Sequence, residues 1–349
     1  MAFIADTQVF TDAGWKRIED VSGKDRVLVR NFLGEAEFIQ PFALKKRKYD
    51  GFVTQIGARN WHFSVTPHHP IVFDKNKLPT GNNFQVVRAE NVKPRIDTRL
   101  YRKFRYIFSE EPKKEIIKIK DEFGIRYTTI SQYDWYKLMG YVLMRGFIRK
   151  KPGSPMLHLF LDPNRIEEES RIIGDLLDRM GFSWHMQHSE KTSPKIVVSS
   201  KNLLCARLIT RLGSDKRKEM YLTDKIIYNS TKELSQLLID TIIDAAGGKD
   251  TLRTQLVTTN KAFIDSLMLL GTLSGYSIRY SITSTAGTPS NYGVAKKDSY
   301  ILLISSLTDT YAPTYVRKEF YYGYVYEIDL FDGQIYVKEG SMPVWVNPK

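Results

Sequence analysis

The sequence contains a single cysteine, Cys205, among 349 residues. One thiol excludes an intrachain disulfide framework and any metal site built from several thiolates. The six histidines have no carboxylate neighbours at the spacing of a zinc motif. No run of about 18 consecutive apolar residues is present, which excludes a membrane-spanning helix. The opening MAFIADTQVF has neither the basic lead nor the apolar core of a signal peptide. We therefore expect a soluble, cytoplasmic protein with no membrane partner.

Positive charge is what the sequence has in excess. The 52 lysines and arginines outnumber the 39 aspartates and glutamates, which gives a formal net charge of +13. Such a balance favours a polyanionic partner, most often nucleic acid. With 42% hydrophobic and 26% charged residues, the chain can bury a large core, and its length favours two. These values exclude a disordered or fibrous protein. Cys205 lies in the apolar helical pattern KNLLCARLITRL and is interpreted as a buried structural thiol.

The two ends of the chain have the pattern of β-strands. In residues 1–110, short runs such as RVLVR, FVTQIG, HFSVT and PIVF are broken by Gly, Asp, Asn and Pro, which is typical of an antiparallel β unit. Residues 319–349 return to this pattern. There YYGYVYEIDL and GQIYVKE flank FDG, and an Asp-Gly pair between such runs predicts a hairpin.

Residues 111–318 alternate helix and strand patterns. Helical spacing of apolar residues predicts helices in SQYDWYKLMGYVLMRGFI, PNRIEEESRIIGDLLDRMGF, NLLCARLITRLG, TKELSQLLIDTIIDAAGG and NKAFIDSLMLLGTLSG. Strands are predicted in LHLFL, SWHMQ, KIVVS, TLRTQLVTT, YSIRYSI and SYILLIS. The pattern occurs twice, with a period of about 100 residues that is far longer than a solenoid repeat. We predict a multi-domain chain in which a pseudo-twofold α/β domain is inserted into a split β domain.

Four patterns at the two ends occur in a fixed order. The opening DTQVFTDAGWKRIED supplies the matched positions Asp6, Thr7, Val9, Thr11, Gly14, Ile18 and Asp20. HFSVTPHHPIVF contains a T-x-x-H motif at Thr66 and His69, and the C-terminal part contains GYVYEIDL with GQIYV, then VWVN. In this combination the chain resembles inteins and other Hint-fold autoprocessing domains. The resemblance implies an all-β, horseshoe-shaped Hint splicing domain formed by both termini.

The resemblance also implies a role for each matched position. The residue at position 2 would attack the preceding carbonyl and convert the amide into a thioester or ester. His69 would protonate the departing amine and strain that bond, and Thr66 would hydrogen-bond the developing oxyanion. Glu327 occupies a place where the family often has Asp or Cys. A nucleophile at position 348 would take the acyl group, and Asn347 would then cyclise, joining the flanking exteins in cis without a cofactor.

Two positions depart from the family pattern. Position 2 is Ala2 and position 348 is Pro348, and neither side chain has a group that attacks a carbonyl. Val346 also stands where the family usually has His. We hypothesise that Ala2 and Pro348 block a native splicing reaction, with Met1 and the last two residues left from the flanks. The alternative is a natural alanine-start intein, a route that also needs a nucleophile after Asn347.

The middle segment resembles a second family. KLMGYVLMRGF and LLIDTIIDAAGG resemble the two LAGLIDADG helices of homing endonucleases. The resemblance implies pseudo-twofold αββαββα repeats, with Gly140 packed closely against Thr241 and Ala245. In the family each helix ends in an acidic residue, and the pair hold divalent metal, normally Mg²⁺. Arg145 and Ala246 stand at those places, so we predict that no metal is bound and that this domain does not cut DNA.

Retained binding of double-stranded DNA is a separate question. The candidates for phosphate contact from strands and loops are Arg253, Arg279, Tyr280, Lys296 and Lys297. Alternative interpretations are an active site-specific DNA endonuclease with the β domain as scaffold, and a DNA- or RNA-binding regulator built on LAGLIDADG repeats. A Hint module of a secreted protein is disfavoured by the missing signal peptide. We expect the protein to be a monomer.

Overall fold

The computed structural model describes residues 2–31, 33–59, 61–74, 84–94, 100–101, 104–106, 116–120, 127–149, 156–189, 192–198, 208, 211–214, 220–246, 254–290, 293–306, 310–340 and 342–348. The chain divides into two units. The first comprises Met1–Ile107, Gly275–Ser281 and Ser305–Lys349, and the second comprises Phe108–Ser274 and Ile282–Ile304. The first unit therefore takes in both ends of the sequence. The chain returns to it at Ser305, earlier than the predicted boundary at 319.

The strands are numbered in chain order. The N-terminal strands are β1 (Phe3–Ile4), β2 (Gln8–Thr11), β3 (Gly14–Arg17), β4 (Val27–Arg30), β5 (Glu35–Ile39), β6 (Ala43–Ala58), β7 (Trp61–Val65), β8 (Pro70–Asp74), β9 (Phe84–Arg88), β10 (Leu100–Tyr101) and β11 (Arg105–Tyr106). The middle strands are β12 (Ile116–Lys120), β13 (Tyr127–Ser131), β14 (Gly146–Arg149), β15 (Met156–Phe160), β16 (Trp184–Ser189), β17 (Thr192–Val198), β18 (Leu212–Ser214), β19 (Met220–Leu222), β20 (Thr254–Thr258), β21 (Tyr276–Ser284), β22 (Pro289–Ser290), β23 (Gly293–Val294) and β24 (Ser299–Ser306).

The C-terminal strands are β25 (Thr310–Tyr311), β26 (Tyr315–Asp329), β27 (Gln334–Lys338) and β28 (Val344–Val346). The helices are α1 (Gln132–Arg145), α2 (Ile166–Arg179), α3 (Asp224–Asn229), α4 (Lys232–Ala245) and α5 (Lys261–Leu273). Short 3-10 turns occupy Ile18–Asp20 and Ala89–Asn91. Among the described residues, no helix is both long and apolar enough to cross a membrane.

Two β layers build the first unit. Strands β1, β26, β6 and β7 close into a ring, in which β6 and β26 pair antiparallel along almost their whole length. A larger sheet has the order β11-β5-β4-β2-β27-β28, with β3 paired to β2 and a further pairing of β4 with β27. Apolar residues from both layers share one core, which includes Phe3, Val9, Val29, Ile56, Phe63, Val65, Ile71, Ile335, Val344 and Val346. Strands from both termini are therefore integral to the same core.

The predicted hairpin at FDG is wrong. Strand β26 pairs with β6 on one edge and with β1 on the other, whereas β27 pairs with β2, β4 and β28. Both neighbours of β26 are thus supplied by distant segments, so the turn carries the chain from one layer to the other. Gly333 has φ +100°, and a Cβ there would lie 2.7 Å from the Arg30 carbonyl oxygen. The glycine permits this close approach to β4.

In the second unit, α1 and α4 have matching starts and a close crossing. Ser131 and Thr231 cap them by accepting from the backbone N–H three residues on. A Cβ at Gly140 would lie 2.8 Å from Cβ and Cγ2 of Thr241, so the predicted approach through small residues is confirmed at this pair. Helix α1 ends at Arg145, four residues before the prediction's end segment closes as strand β14, because Gly146–Arg149 pairs with β15.

The expected internal repeat is visible in the sheets. The first has the order β14-β15-β17-β16 and the second β20-β24-β21. The series α1, β15, α2, β16, β17 thus corresponds to α4, β20, α5, β21, β24, with the last strand central in both sheets. A counterpart of β14 would fall between α4 and β20, a stretch outside the described residues. Most of the predicted helix NLLCARLITRLG, including Cys205, lies outside them too.

Candidate active site

The N-terminal end of the described chain is held by Thr66. The Ala2 N–H donates to the Thr66 hydroxyl at 3.0 Å, and the Thr66 N–H donates to the Ala2 carbonyl at 2.9 Å. These contacts extend the pairing of β1 with β7, in which Phe3 lies opposite Val65. Ala2 is fully buried. Thr66 therefore binds both polar groups of the residue at the expected nucleophile position.

The C-terminal end is held by His69. Its Nε2 lies 2.7 Å from the carbonyl oxygen of Asn347. A carbonyl oxygen only accepts, so Nε2 carries the proton and donates. A turn places the two side chains: the His69 N–H donates to the Thr66 carbonyl at 2.9 Å, and the His69 carbonyl accepts from Ala89 at 2.8 Å. One four-residue segment therefore contacts positions 2 and 347.

Burial sets the charge of His69. The side chain is fully buried and the ring of Phe3 packs against it, with centroids 4.9 Å apart. Burial lowers the pKa of His69 to about 4, although its hydrogen bond to Asn347 and the charge of Glu327 act in the opposite direction. At neutral pH the imidazole is uncharged, a donor at Nε2 and an acceptor at Nδ1. The buried Nδ1 has no hydrogen-bond partner among the described residues.

These contacts differ from the roles that the resemblance implied. Thr66 touches the amide N–H of position 2, where an oxyanion contact was expected. His69 was assigned to the N-terminal junction, and its recorded hydrogen bond is to the C-terminal one. Glu327 is only partly buried and pairs with Arg47 at 3.5 Å, so it acts on His69 through space. Pro348 is buried next to Asn347.

A second chain of contacts, absent from the sequence analysis, reaches Asn347. Gln334 Nε2 donates to the Asn347 side-chain oxygen at 3.4 Å, and Arg30 Nη1 donates to Gln334 Oε1 at 3.1 Å. Arg30 and Gln334 are both buried. The guanidinium fixes which face of the Gln334 amide donates, and this orients the Asn347 amide. Gln334 lies in the quoted GQIYV segment, but a lone amide gives no chemical signal in a sequence.

Glu339 is a further residue that the sequence analysis missed. Its Oε1 accepts from the Thr7 hydroxyl at 2.7 Å and from the Ser64 N–H at 2.8 Å, and its Oε2 accepts from the Ser64 hydroxyl at 2.8 Å. Burial raises the pKa of Glu339 against the lowering effect of these hydrogen bonds. The carboxylate ties the segments after β1 and β27 to β7, close in sequence to Thr66.

In the second unit, the structure brings the two positions expected to be acidic close together. Arg145 Nε donates to the carbonyl of Ala245 at 2.6 Å, next to Ala246, the C-cap of α4. The Arg145 guanidinium thereby satisfies a carbonyl at the end of the neighbouring helix, where a positive charge is favourable. Arg165 Nη1 donates similarly to the carbonyl of Asp244 at 3.1 Å.

The carboxylates around this point are already paired. Arg145 Nη2 lies 3.3 Å from Asp162 and 3.5 Å from Glu169, while Arg165 lies 3.8 Å from Glu169 and 3.0 Å from Glu168. The pKa of Asp162 is lowered, chiefly by the N–H of Asn164 and then by Arg145. In the described residues, no group of three or more His, Cys, Asp and Glu could hold a metal ion. A guanidinium and a methyl group at positions 145 and 246 do not fit divalent metal.

The candidates for DNA contact have mixed exposure. Lys296 is exposed, Arg279, Tyr280 and Lys297 are partly buried, and Arg253 lies outside the described residues. Arg279 Nη1 lies 3.8 Å from Met342 Sδ. These side chains are not gathered by any contact that would define one surface, so their role stays a prediction.

No family model and no curated protein matches this chain. Similar solved structures include a splice-inactive variant of the AceL NrdHF class 3 split intein, 15% identical over 57% of this chain and 98% of that one, with a TM-score of 0.25. They also include I-DmoI with its target DNA and manganese, and I-DmoI with DNA and calcium. Both are 16% identical over 50% of this chain, with a TM-score of 0.36, and cover 87% and 83% of their own chains. Because these similarities are low, we base the proposals below on the geometry of this chain.

The lowered pKa of His69 predicts acid sensitivity. In the unfolded chain the imidazole takes a proton near pH 6.5, whereas in the folded chain it does so only near pH 4. The unfolded state therefore binds more protons between these values, and stability falls as the pH drops through that window, by at most about 3 kcal/mol. Urea unfolding at several pH values should show a smaller loss for His69→Gln than for the unchanged chain. His68→Gln, at an exposed neighbour paired with Glu90, is the control, and equal losses in all three proteins would contradict the assignment.

Removal of Arg145 is expected to destabilise the second unit. Arg145→Met leaves Glu169, whose side chain is 3% exposed, with the more distant Arg165 as its remaining cation. We expect a loss of about 2–4 kcal/mol in the free energy of unfolding. The control Arg179→Met breaks an exposed pair with Asp134 and should cost no more than about 1 kcal/mol. Similar losses in the two variants would show that the Arg145 cluster is not a compensated buried charge.

Proposed function

We propose that this chain is a protein-splicing domain whose reaction is blocked at both junctions by Ala2 and Pro348, and that it carries an inserted LAGLIDADG-type domain that does not cleave DNA. One observation carries the first part of the proposal. Positions 2 and 347 meet the same segment, through Thr66 at 3.0 Å and through His69 at 2.7 Å. Splicing requires both junctions to lie at one catalytic centre, and this contact pattern supplies one.

At the C-terminal junction, His69 and Gln334 divide the work on Asn347. The Nε2–H of His69 donates to the backbone carbonyl, so it polarises the carbon under attack and stabilises the oxyanion that forms. Gln334, fixed by Arg30, donates to the side-chain oxygen and orients the amide nitrogen that attacks. The amide nitrogen forms a succinimide with the Asn347 carbonyl carbon, and the peptide bond to residue 348 breaks.

At the N-terminal junction, Thr66 acts on the amide of position 2. A nucleophile at this position would attack the carbonyl of residue 1 and expel the amide nitrogen as an amine. The Thr66 hydroxyl accepts from that N–H in the intact amide. As the bond breaks, the nitrogen gains a lone pair, and a hydroxyl can rotate to donate to it. The alanine methyl group provides no nucleophile, so the site is assembled but cannot begin the reaction.

The test restores both nucleophiles. A chain with Ala2→Cys and Pro348→Cys, Ser or Thr, placed between two proteins of different mass, should release a ligated product and the excised chain, measured by mass spectrometry. The unchanged chain in the same fusion should stay intact. No ligated product across a range of temperature and pH would refute the splicing proposal.

Two further variants of the restored chain separate the steps. Asn347→Ala should abolish release of the C-terminal flank while leaving thiol-induced cleavage at position 2. Gln334→Ala should slow C-terminal release while leaving the same N-terminal cleavage at its original rate. Equal slowing of both junctions by Gln334→Ala would indicate a general structural defect and remove Gln334 from the proposed mechanism.

The second part of the proposal concerns DNA. The cationic cluster of Arg145 and Arg165 supports loss of cleavage, because Asp162 and Glu169 are engaged by guanidinium groups. We expect no double-strand cleavage of a plasmid carrying the uninterrupted insertion sequence, with either magnesium or manganese. Efficient cleavage would favour the active endonuclease and refute this part alone. A gel shift at two salt concentrations then tests for retained binding of double-stranded DNA, in which Arg279, Tyr280, Lys296 and Lys297 are the candidate contacts.

A further inference from the structure

The long ribbon formed by β6 and β26 exposes large aromatic side chains. Phe52, Phe320, Tyr322 and Tyr324 are 56%, 66%, 79% and 41% exposed, respectively. Single exposed apolar side chains are ordinary, but a contiguous group marks an interaction surface. The rings of Phe52 and Phe320 contact each other, with centroids 5.8 Å apart.

The register of the ribbon places these rings on one face together with lysines. Residues directly opposite each other in an antiparallel pair share a face, and so do alternate residues of a strand. Phe52 lies opposite Phe320, Lys48 opposite Tyr324, and Lys318 opposite Thr54. The group that we name the ribbon face consists of Lys46, Lys48, Phe52, Lys318, Phe320, Tyr322 and Tyr324. The acidic residue on the same exposed stretch is Asp50, opposite Tyr322.

Cations and rings interleave along the ribbon face. Lys46 Nζ lies 4.2 Å from the ring centroid of Tyr324 and 5.5 Å from that of Tyr326. At the other end, Lys318 follows Phe320 by two positions toward the start of β26. Positive charge therefore borders the aromatic group at both ends, as is required for a surface that follows a phosphate backbone.

The opposite face braces the ribbon. The Tyr49 hydroxyl donates to the Phe52 carbonyl at 2.7 Å, and the Tyr321 hydroxyl donates to the Tyr324 carbonyl at 2.9 Å. Each tyrosine lies along its own strand over a glycine: a Cβ at Gly323 would meet the Tyr321 hydroxyl at 2.8 Å. These bonds fix the backbone that carries the ribbon face, so its rings are held in place before any ligand arrives.

We propose that the ribbon face binds single-stranded nucleic acid. Side chains at alternate positions of a strand are about 6.8 Å apart, which is close to two base-stacking distances of about 3.4 Å. One unpaired base therefore fits between successive rings, and the lysines meet the adjacent phosphates. A duplex keeps its bases stacked on each other and offers no free base face. A lipid surface would favour a continuous apolar band, whereas lysines interrupt this one.

This surface is distinct from the junction site, because none of its residues is among those that contact positions 2 and 347. The splicing proposal and this one therefore stand or fall separately. The experiment uses the full chain and measures fluorescence anisotropy with labelled oligothymidine, a duplex of equal length, and vesicles containing anionic lipid.

Two pairs of exposed phenylalanines provide the decisive comparison. Phe52→Ala with Phe320→Ala removes two rings from the ribbon face. Phe42→Ala with Phe331→Ala removes an equivalent pair, 69% and 94% exposed with ring centroids 6.1 Å apart, elsewhere on the first unit. We expect the first pair to weaken oligothymidine binding at least about tenfold relative to the second, since each stacked base contributes about 1–3 kcal/mol. Circular dichroism verifies that both variants are folded.

A charge variant supplies an independent measure. Lys46→Ala with Lys48→Ala should lower the slope of log affinity against log salt by about 1.4, because each phosphate contact on a single strand contributes about 0.7. Equal oligothymidine affinity in the two phenylalanine variants would overturn the proposal. So would binding to anionic vesicles that depends on Phe52 and Phe320 in the absence of oligothymidine binding.

Discussion

The hydrogen bond between His69 and the Asn347 carbonyl is the constraint on which the first unit depends. It joins residues 278 positions apart at 2.7 Å inside the protein. A buried imidazole with an unsatisfied donor is costly, so the C-terminal segment has to reach this point. Because β28 delivers Asn347 and β1 delivers Ala2 to the same segment, the ring and the larger sheet must both be built from the two termini. Catalytic geometry and fold closure are therefore one requirement in this unit.

The neutral state of His69 follows from the same packing. A surface imidazole would be partly charged near neutral pH, whereas burial against Phe3 lowers the pKa to about 4. Only the neutral ring leaves Nδ1 free as an acceptor while Nε2 donates to a carbonyl. Glu339 and Arg30 act at a greater distance: one ties the terminal segments to β7 and the other orients Gln334. The site thus depends on buried polar contacts whose partners are supplied by several strands.

Local patterns in the sequence predicted the helices well and the strand pairings poorly. Helices α1, α2, α4 and α5 follow the spacing of apolar residues and their capping residues Ser131, Thr231 and Asn260, which are local properties. The FDG turn failed as a hairpin signal because β26 already has β6 and β1 as neighbours, which is information that a turn sequence does not contain. The T-x-x-H motif located Thr66 and His69, but which junction each one contacts depends on residues at both ends of the chain. Gln334 and Arg30, 304 positions apart, form a site only after folding.

The proposed losses of activity in the two units differ in physical character. At positions 2 and 348 a reactive group is missing, but the surrounding donors and acceptors of Thr66, His69 and Gln334 are in place. Arg145, by contrast, has become part of the structure, since it caps α4 and neutralises Asp162 and Glu169. An acidic residue at position 145 would remove that cation and add a third carboxylate beside two that are already buried or half-buried. The splicing centre is therefore one substitution per junction away from its chemistry, whereas the second unit would require its whole carboxylate cluster to be rebuilt around a metal ion.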